Sequence, residues 1–159
     1  MTNQPPSPQP TILVVDDTPT NLQVLFDLLD HSGYRVAFAK NGETALARLE
    51  DSLPDLILLD VMMPGIDGFE TCRRIKANTQ TQDIPIIFMT ALSDTVDKVK
   101  GLKLGAVDYI AKPIQHEEVL ARINVHLQLR RLNQTLEDKV AERTAKLTEA
   151  MQELQQAQL

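Results

Sequence analysis

Cysteine, aromatic side chains and long apolar runs are scarce in this sequence. The single cysteine, Cys72, excludes an internal disulfide and predicts a reducing, cytoplasmic compartment. No apolar run approaches the roughly 20 residues that a membrane-spanning helix needs, so we expect a soluble protein with no membrane contact in this chain. Residues 1–10 contain four prolines and lack the charged and apolar regions of a secretion signal, which indicates a disordered N-terminal segment.

An excess of positive charge is also missing. The formal net charge is −6 and aromatic residues make up 4% of the chain, so neither a basic surface nor an aromatic platform for nucleic acid is expected. The three histidines, His31, His116 and His126, are scattered without metal-binding spacing, and we interpret them as surface or packing residues. The hydrophobic fraction of 43% and the length of 159 residues predict one globular domain with an appendage.

Short apolar segments alternate with segments of helical periodicity. The continuous apolar run from Leu56 to Leu59 is typical of a strand buried on both faces of a parallel sheet. The predicted strands are residues 11–15, 34–39, 56–60, 84–89 and 106–111. Caps or Pro indicate helix starts at Thr18-Pro19, Asn41, Asp67-Gly68 and Ser93. Strict alternation predicts a doubly wound, flavodoxin-like α/β fold with five parallel strands in the order 2-1-3-4-5.

Reactive side chains follow four of the five predicted strands. Asp16 and Asp17 follow the first strand, Asp60 the third, Thr90 the fourth and Lys112 the fifth. The predicted strand order makes these four strands neighbours, so their side chains are expected to meet at one edge of the sheet. Three carboxylates this close repel one another unless a cation lies among them, and Mg²⁺ is the hard cation that prefers such oxygen ligands.

An ammonium and a hydroxyl beside a carboxylate indicate phosphoryl transfer. Lys112 can bind an anion through its charge, and Thr90 can donate a hydrogen bond to the same anion. Asp60 would then be the nucleophile and would form an aspartyl phosphate. The remaining task of the protein is positioning and charge stabilisation.

Four short motifs, taken with their order and spacing along the chain, resemble those of a known family. Residues 11–127 resemble the receiver domain of the bacterial two-component response regulators, a phosphorylation-dependent signalling module. The matching segments are Val14-Val15-Asp16-Asp17, Leu58-Leu59-Asp60-Val61-Met62-Met63-Pro64-Gly65-Ile66-Asp67-Gly68, Met89-Thr90-Ala91 and Tyr109-Ile110-Ala111-Lys112-Pro113.

The resemblance implies a donor and a set of metal ligands. Asp60 accepts a phosphoryl group from the phosphohistidine of a histidine kinase or histidine phosphotransfer protein. Asp17, Asp60 and the backbone carbonyl of Met62 bind Mg²⁺ directly, and Asp16 acts mainly through a metal-bound water. Such a receiver is no general enzyme, because it catalyses only its own phosphorylation and dephosphorylation.

The resemblance also implies a switch. Thr90 and Lys112 contact the phosphoryl oxygens, and Tyr109 turns inward when Thr90 moves. The Lys112-Pro113 peptide bond is expected to be cis. Met62 and Leu92, which are apolar and flank the phosphoryl group, predict a long-lived aspartyl phosphate.

Two other functions fit parts of the sequence. A haloacid-dehalogenase-like phosphatase also ends an early strand in a nucleophilic Asp, but it needs Asp-x-Asp, and here Asp16-Asp17 is followed by Thr18. A coiled-coil dimerisation scaffold with a non-signalling receiver would not need the complete acidic pocket. Both explain the sequence less well than a working receiver does.

The last 46 residues, 114–159, contain neither Gly nor Pro and predict one long helix. Val119, Leu120, Ile123 and Leu127 are expected to face the sheet. The apolar pattern then continues in an exposed stripe, which we call the coil stripe: Leu129, Leu132, Leu136, Val140, Leu147, Met151 and Leu154.

Eleven-residue spacing within the coil stripe predicts a nearly straight or slightly right-handed coiled coil over residues 128–159. We expect a homodimer through this helix, with Arg143 on its seam. The segment 136–144 resembles the signalling helices that link receivers to histidine kinase, cyclase or phosphodiesterase domains. Because the pattern is still running at Leu159, we expect a piece of a longer protein whose output domain lies outside this chain.

Overall fold

Five strands alternate with five helices in the computed structural model, which describes residues 9–91 and 95–158. The strands are β1 (Thr11–Val15), β2 (Arg35–Ala39), β3 (Leu56–Asp60), β4 (Ile86–Ala91) and β5 (Asp108–Lys112). The helices are α1 (Pro19–His31), α2 (Gly42–Asp51), α3 (Gly68–Ala77), α4 (Thr95–Lys103) and α5 (His116–Ala157). The predicted cap Ser93, the predicted flanking residue Leu92, Leu159 and the predicted disordered segment up to residue 8 lie outside the described residues.

The sheet is parallel throughout, and its order is β2-β1-β3-β4-β5, which confirms the predicted doubly wound fold. All five residues of the central strand β3 are buried. One core layer, which includes Leu13, Leu59 and Phe88, lies on the α2–α3 side of the sheet. The other, which includes Ile12 and Leu58, packs under α1 and α5. The carboxyl ends of β1, β3, β4 and β5 therefore meet at one edge.

Helix caps follow local side-chain chemistry, with one correction. Asn41 accepts a hydrogen bond from the Thr44 N–H at 2.7 Å, and Asp67 accepts one from the Glu70 N–H at 2.8 Å. Thr18 occupies the cap position of α1, but its hydroxyl makes no capping bond, so the predicted hydroxyl cap is wrong. The Thr18 N–H instead donates to the carboxylate of Asp16 at 2.9 Å.

Three strands begin later than predicted, because the residues before them bond elsewhere. The Tyr34 N–H donates to the Leu29 carbonyl and so closes α1. The Ala106 N–H donates to the Gly101 carbonyl at the end of α4. Pro85 has no N–H and precedes β4, which starts at Ile86.

Helix α5 is continuous for 42 residues. Its Val119, Ile123 and Leu127 are buried against the sheet and Leu120 is partly buried, as predicted. Beyond them the coil stripe leaves the body, and its seven side chains are between 49% and 65% exposed. Within the described part of the chain, no helix combines the length and apolarity needed to cross a membrane.

Candidate functional site

Three acidic side chains meet at the carboxyl edge of the sheet. Asp16, Asp17 and Asp60 each offer a carboxylate oxygen, and these oxygens all lie within 4.8 Å of one another. Asp16 and Asp60 are buried, whereas Asp17 is exposed and faces solvent. The topology thus brings together the three carboxylates that the sequence analysis placed at this edge.

Asp16 is fixed by a network of neighbours. Its carboxylate accepts hydrogen bonds from the Thr18 N–H at 2.9 Å and from Asn21 Nδ2 at 3.2 Å. Lys112 Nζ lies 3.4 Å from the same carboxylate. These bonds hold the first turn of α1 against the end of β1.

Lys112 supplies the cation of the cluster. Its Nζ lies 3.1 Å from Asp60 Oδ2 and 3.4 Å from Asp16 Oδ2, although β5 is two strands away from β3. The following peptide bond, Lys112-Pro113, is cis, as predicted. One ammonium among three carboxylates leaves an excess of negative charge at this edge.

The surroundings of Asp60 shift the pKa of its carboxyl group. Burial raises the pKa of Asp60, and the nearby charge of Asp16 raises it further. The ammonium of Lys112 opposes both effects, as does the Met62 N–H, which donates to Asp60 Oδ1 at 3.3 Å. The residue at the end of the central strand is thus held where its negative charge is only partly compensated.

The residues at this edge suit a hard divalent cation. Carboxylate oxygens are the ligands that Mg²⁺ prefers, and the cluster offers three that are mutually close. Met62, whose carbonyl the resemblance names as a further ligand, is tied to Asp60 through its N–H. One ammonium faces three carboxylates in this cluster, so a bound cation would offset an excess of negative charge.

The contacts of Thr90 and Tyr109 are with residues outside the carboxylate cluster. Thr90 is buried next to Met89, the strand partner of Asp60, and its hydroxyl donates to the Ala91 carbonyl at 3.3 Å. Tyr109 is half-buried, and its ring centre lies 4.6 Å from Lys98 Nζ. The inward turn of Tyr109 stays a prediction.

Sequence reasoning missed the residues that shape the loop after Asp60. Glu43, at the start of α2, accepts a hydrogen bond from the Ile66 N–H at 3.2 Å and so holds this loop. The sequence predicts only a helix start at Gly68, yet a Cβ there would collide with the Asp60 carbonyl oxygen. The Asp-Gly pair was the available signal for this close approach, whereas nothing in the sequence marks Glu43.

The sequence has clear relatives. Residues 12–124 match the family described as the response regulator receiver domain. The chain is 46% identical over 112 residues to "Response regulator PleD" of Caulobacter vibrioides, which covers 70% of this chain and 25% of that protein. It is 40% identical over 146 residues to a "Probable cyclic di-GMP phosphodiesterase" of Vibrio cholerae, which covers 87% of this chain and 33% of that protein. The chain thus spans a quarter to a third of these curated relatives.

A solved receiver-domain structure also matches this chain. The signal receiver domain of a signal transduction histidine kinase from Syntrophus aciditrophicus superposes with a TM-score of 0.70 at 37% identity, covering 75% of this chain and 90% of that one. Receiver domains use Mg²⁺ at an acidic pocket and receive phosphoryl groups from histidine kinases. The fold, the acidic edge and these matches together show that the chain belongs to the response regulator receiver family of two-component signal transduction.

Proposed function

We propose that Asp60 accepts a phosphoryl group from the phosphohistidine of a partner histidine kinase or histidine phosphotransfer protein. The observation that carries this is the contact of 3.1 Å between Lys112 Nζ and Asp60 Oδ2 at the end of the central strand, within a cluster of three carboxylates. An acceptor in this place has a cation to bind the incoming phosphoryl oxygens and an open side toward the exposed Asp17.

In the transfer, an oxygen of Asp60 attacks phosphorus while the bond from phosphorus to the histidine nitrogen breaks, and the electron pair stays on that nitrogen. Lys112 leaves Asp60 for the phosphoryl oxygens, and the hydroxyl of Thr90 donates to them. Asp16, Asp17, Asp60 and the Met62 carbonyl would hold Mg²⁺. When bound, this ion supplies the charge neutralisation that lets an anionic phosphoryl group approach carboxylates.

The switch then involves two residues of adjacent strands. Thr90 on β4 is bound to the phosphoryl group, and Tyr109 on β5 turns into the space that Thr90 vacates. The half-buried ring of Tyr109 lies 4.6 Å from Lys98 Nζ of α4 and 5.9 Å from Arg122 Cζ of α5, so an inward turn would release contacts with both helices and change this face of the receiver.

We further propose that the receiver comprises residues 11–127 and that residues 128–159 form a signalling helix. The helix is the relay: it dimerises through the coil stripe and passes the phosphorylation state to an output domain. The exposure of all seven apolar side chains of the stripe supports a partner helix, because apolar surface in water is unfavourable by about 25 cal/mol per Å².

The output domain in our proposal is of the histidine kinase, cyclase or phosphodiesterase class. The relative named as a cyclic di-GMP phosphodiesterase supports this class, since its 146 matched residues exceed the receiver match and so extend into α5. We also propose a cytoplasmic location, in line with Cys72, which is a buried free thiol.

The chemical nature of the phosphorylated residue tests this function. The chain is incubated with radiolabelled acetyl phosphate and Mg²⁺, and the labelled protein is then treated with neutral hydroxylamine. An acyl phosphate on Asp60 is cleaved, so the label should be lost. Label that survives hydroxylamine would be a phosphoester on a hydroxyl group and would contradict the proposal.

A further inference from the structure

Helix α5 remains attached to the receiver beyond the last residue that packs on the sheet. Leu127 is the last buried residue of α5, and Arg130 lies three positions further along. Arg130 Nη1 donates to the carbonyl oxygen of Asp55 at 2.7 Å and lies 3.5 Å from that of Pro54. This contact ties the first turn of residues 128–159, which we call the coil segment, to the residues directly before β3, which we call the base of the receiver.

Asp55 joins three elements at this base. Its N–H donates to the Thr11 carbonyl at 2.8 Å, and its carboxylate accepts the Thr11 N–H at 2.8 Å. Its own carbonyl accepts the bond from Arg130. The next residue, Leu56, starts β3, and the strand ends at Asp60. Arg130 and the acidic cluster thus act on opposite ends of one buried strand, and close-packed interiors transmit displacements.

The guanidinium of Arg130 is partly removed from water to make this contact. Its Nε is buried and, within residues 9–91 and 95–158, has no hydrogen-bond partner. A helical Arg at a surface ordinarily keeps its head group in water, so a buried donor indicates that packing fixes the position of this one. The next residue, Arg131, is exposed and provides a matched comparison.

Open space flanks the contact on both sides. A cavity of about 430 Å³ lies between α5 and the starts of β4 and β5, and one of about 420 Å³ lies toward Pro10 and Asp55. Arg130 and Gln134 line both cavities. The side chain of Arg130 therefore separates two cavities, so among the described residues no other packed side chain fills the space on either side of its contact.

We propose that Arg130 is a positioning residue that locks the start of the coil segment to β3, so that the receiver and this part of α5 move as one rigid body. Without the lock, α5 rocks about its buried residues Val119, Ile123 and Leu127, and the segment beyond them moves relative to the receiver. Phosphorylation of Asp60 still occurs, but its effect on the receiver is no longer passed on as a movement of the coil. The lock stands on the contacts of Arg130 alone, whereas its use in signalling rests on the proposed function.

The distance between the receiver and the helix tests the lock. Spin labels are attached to cysteines introduced by Glu50→Cys and Asp138→Cys, two exposed positions on α2 and α5; native Cys72 is buried and stays unlabelled. Labelled chain is mixed with excess unlabelled chain, so that each assembly holds one labelled copy. Pulsed electron paramagnetic resonance then gives the intramolecular distance distribution for wild type, Arg130→Met and the matched control Arg131→Met.

Wild type and Arg131→Met should give the same narrow distribution, and Arg130→Met a broader one with a shifted mean. Labelling by acetyl phosphate should be equal in all three, which shows that the receiver is folded; Arg130→Gln replaces the Met variant if that variant fails to fold. A distribution in Arg130→Met as narrow as in wild type would overturn the lock.

A second distance measurement tests whether phosphorylation is passed on to the coil, independently of the lock. A single label at Asp138→Cys in every subunit reports the distance between two helices, which phosphorylation should change in wild type and leave unchanged in Arg130→Met. An absent change in wild type would contradict the relay, while the width of the intramolecular distribution would still decide the lock. An equal change in both proteins would show that coupling does not pass through Arg130.

Discussion

At the scale of single residues, the buried carboxylate of Asp60 makes the free energy of unfolding depend on pH. Burial and the neighbouring Asp16 raise the pKa of Asp60 above its ordinary value, and Lys112 offsets this only in part. For an acid whose pKa is raised on folding, the protonated form is the one that favours the folded state. That contribution is fully present below the ordinary carboxyl pKa and is lost as the pH rises through the folded-state pKa.

Removing this charge should therefore stabilise the metal-free protein at neutral pH. Asp60→Asn keeps the shape of the side chain and is expected to raise the free energy of unfolding at pH 7, because it removes a buried charge that is only partly compensated. The gain should disappear at acidic pH, where the wild-type carboxyl is protonated. Urea unfolding in the presence of a chelator, at a series of pH values, measures the difference. A variant less stable than wild type at pH 7 would show that the Asp60–Lys112 contact outweighs the burial.

A divalent cation bound from the solvent side should relieve the repulsion among Asp16, Asp17 and Asp60. Asp17 is the exposed member of the cluster, so Asp17→Ala should remove a ligand with little effect on the core. At 100 times its dissociation constant, a ligand of the folded state adds about 2.7 kcal/mol. Melting temperature should rise with Mg²⁺ in wild type and hardly at all in Asp17→Ala. An equal rise in both would place the ion elsewhere.

The site residues at the ends of strands could be predicted from sequence. The charged residues on helices that bond to loop backbone could not. Asp60 and Lys112 are the last residues of β3 and β5, so the strand order brings them together although they are far apart in the chain. Glu43 and Arg130 lie on polar helix faces where a charged residue is the default choice. Only the backbone groups that they reach, the Ile66 N–H and the Asp55 carbonyl, distinguish them from solvated side chains.

At the scale of secondary-structure elements, the order and type of each strand and helix followed from the hydrophobic pattern. The errors lie at strand boundaries. Tyr34 and Ala106 are apolar enough for a strand but bond to the helix before it, and β4 and β5 run on to Ala91 and Lys112, beyond their predicted ends at residues 89 and 111. Hydrogen bonds to a preceding helix leave no mark in the hydrophobic pattern. The continuity of α5 was predictable because no Gly or Pro interrupts residues 114–159.

The start of α3 is packed against the end of β3, and Gly68 makes this approach possible. Its N–H donates to the Val61 carbonyl at 2.9 Å, and a methyl group there would strike the Asp60 carbonyl. Gly68→Ala should therefore lower stability by about 1–3 kcal/mol, the usual cost of overpacking. It should also slow labelling of Asp60 by acetyl phosphate, because the strand end must shift.

Gly33→Ala is the control for this prediction. Gly33 has a positive φ of 89°, and a Cβ there meets nothing within 4 Å, so the change strains the backbone far from the site. Urea unfolding should show a loss in this control too, but its labelling rate should equal that of wild type. If the two variants label at the same rate, the close approach at Gly68 does not position Asp60.

At the scale of the whole molecule, α5 is a rod that extends beyond the body it belongs to. Its 42 residues at a rise of 1.5 Å give a length of about 63 Å. The coil stripe follows an eleven-residue repeat in which Arg143 takes the place equivalent to Leu132 and Leu154. A charged residue on the seam lowers the stability of a coil and fixes its register, so a dimer through this helix is suited to switching.

The assembly state tests the stripe directly. Leu136→Glu/Leu147→Glu puts two charges on the seam and should give a monomer in sedimentation at tens of micromolar, where wild type is expected to be a dimer. Ala145→Glu/Gln156→Glu adds the same two charges off the stripe, at the same spacing, and should leave the dimer intact. A chain ending at Leu127 should be a monomer or a much weaker dimer. A monomeric wild type would contradict pairing through α5.

The central claim is that Asp60 is the phosphoacceptor of this receiver, and the intact mass of the phosphorylated chain tests it most directly. Wild type and Asp60→Asn are incubated with acetyl phosphate and Mg²⁺, and the intact mass of each is measured by mass spectrometry. Wild type should gain the mass of one phosphoryl group, and Asp60→Asn should gain none. A variant that gains a phosphoryl group to the same extent as wild type would contradict the account.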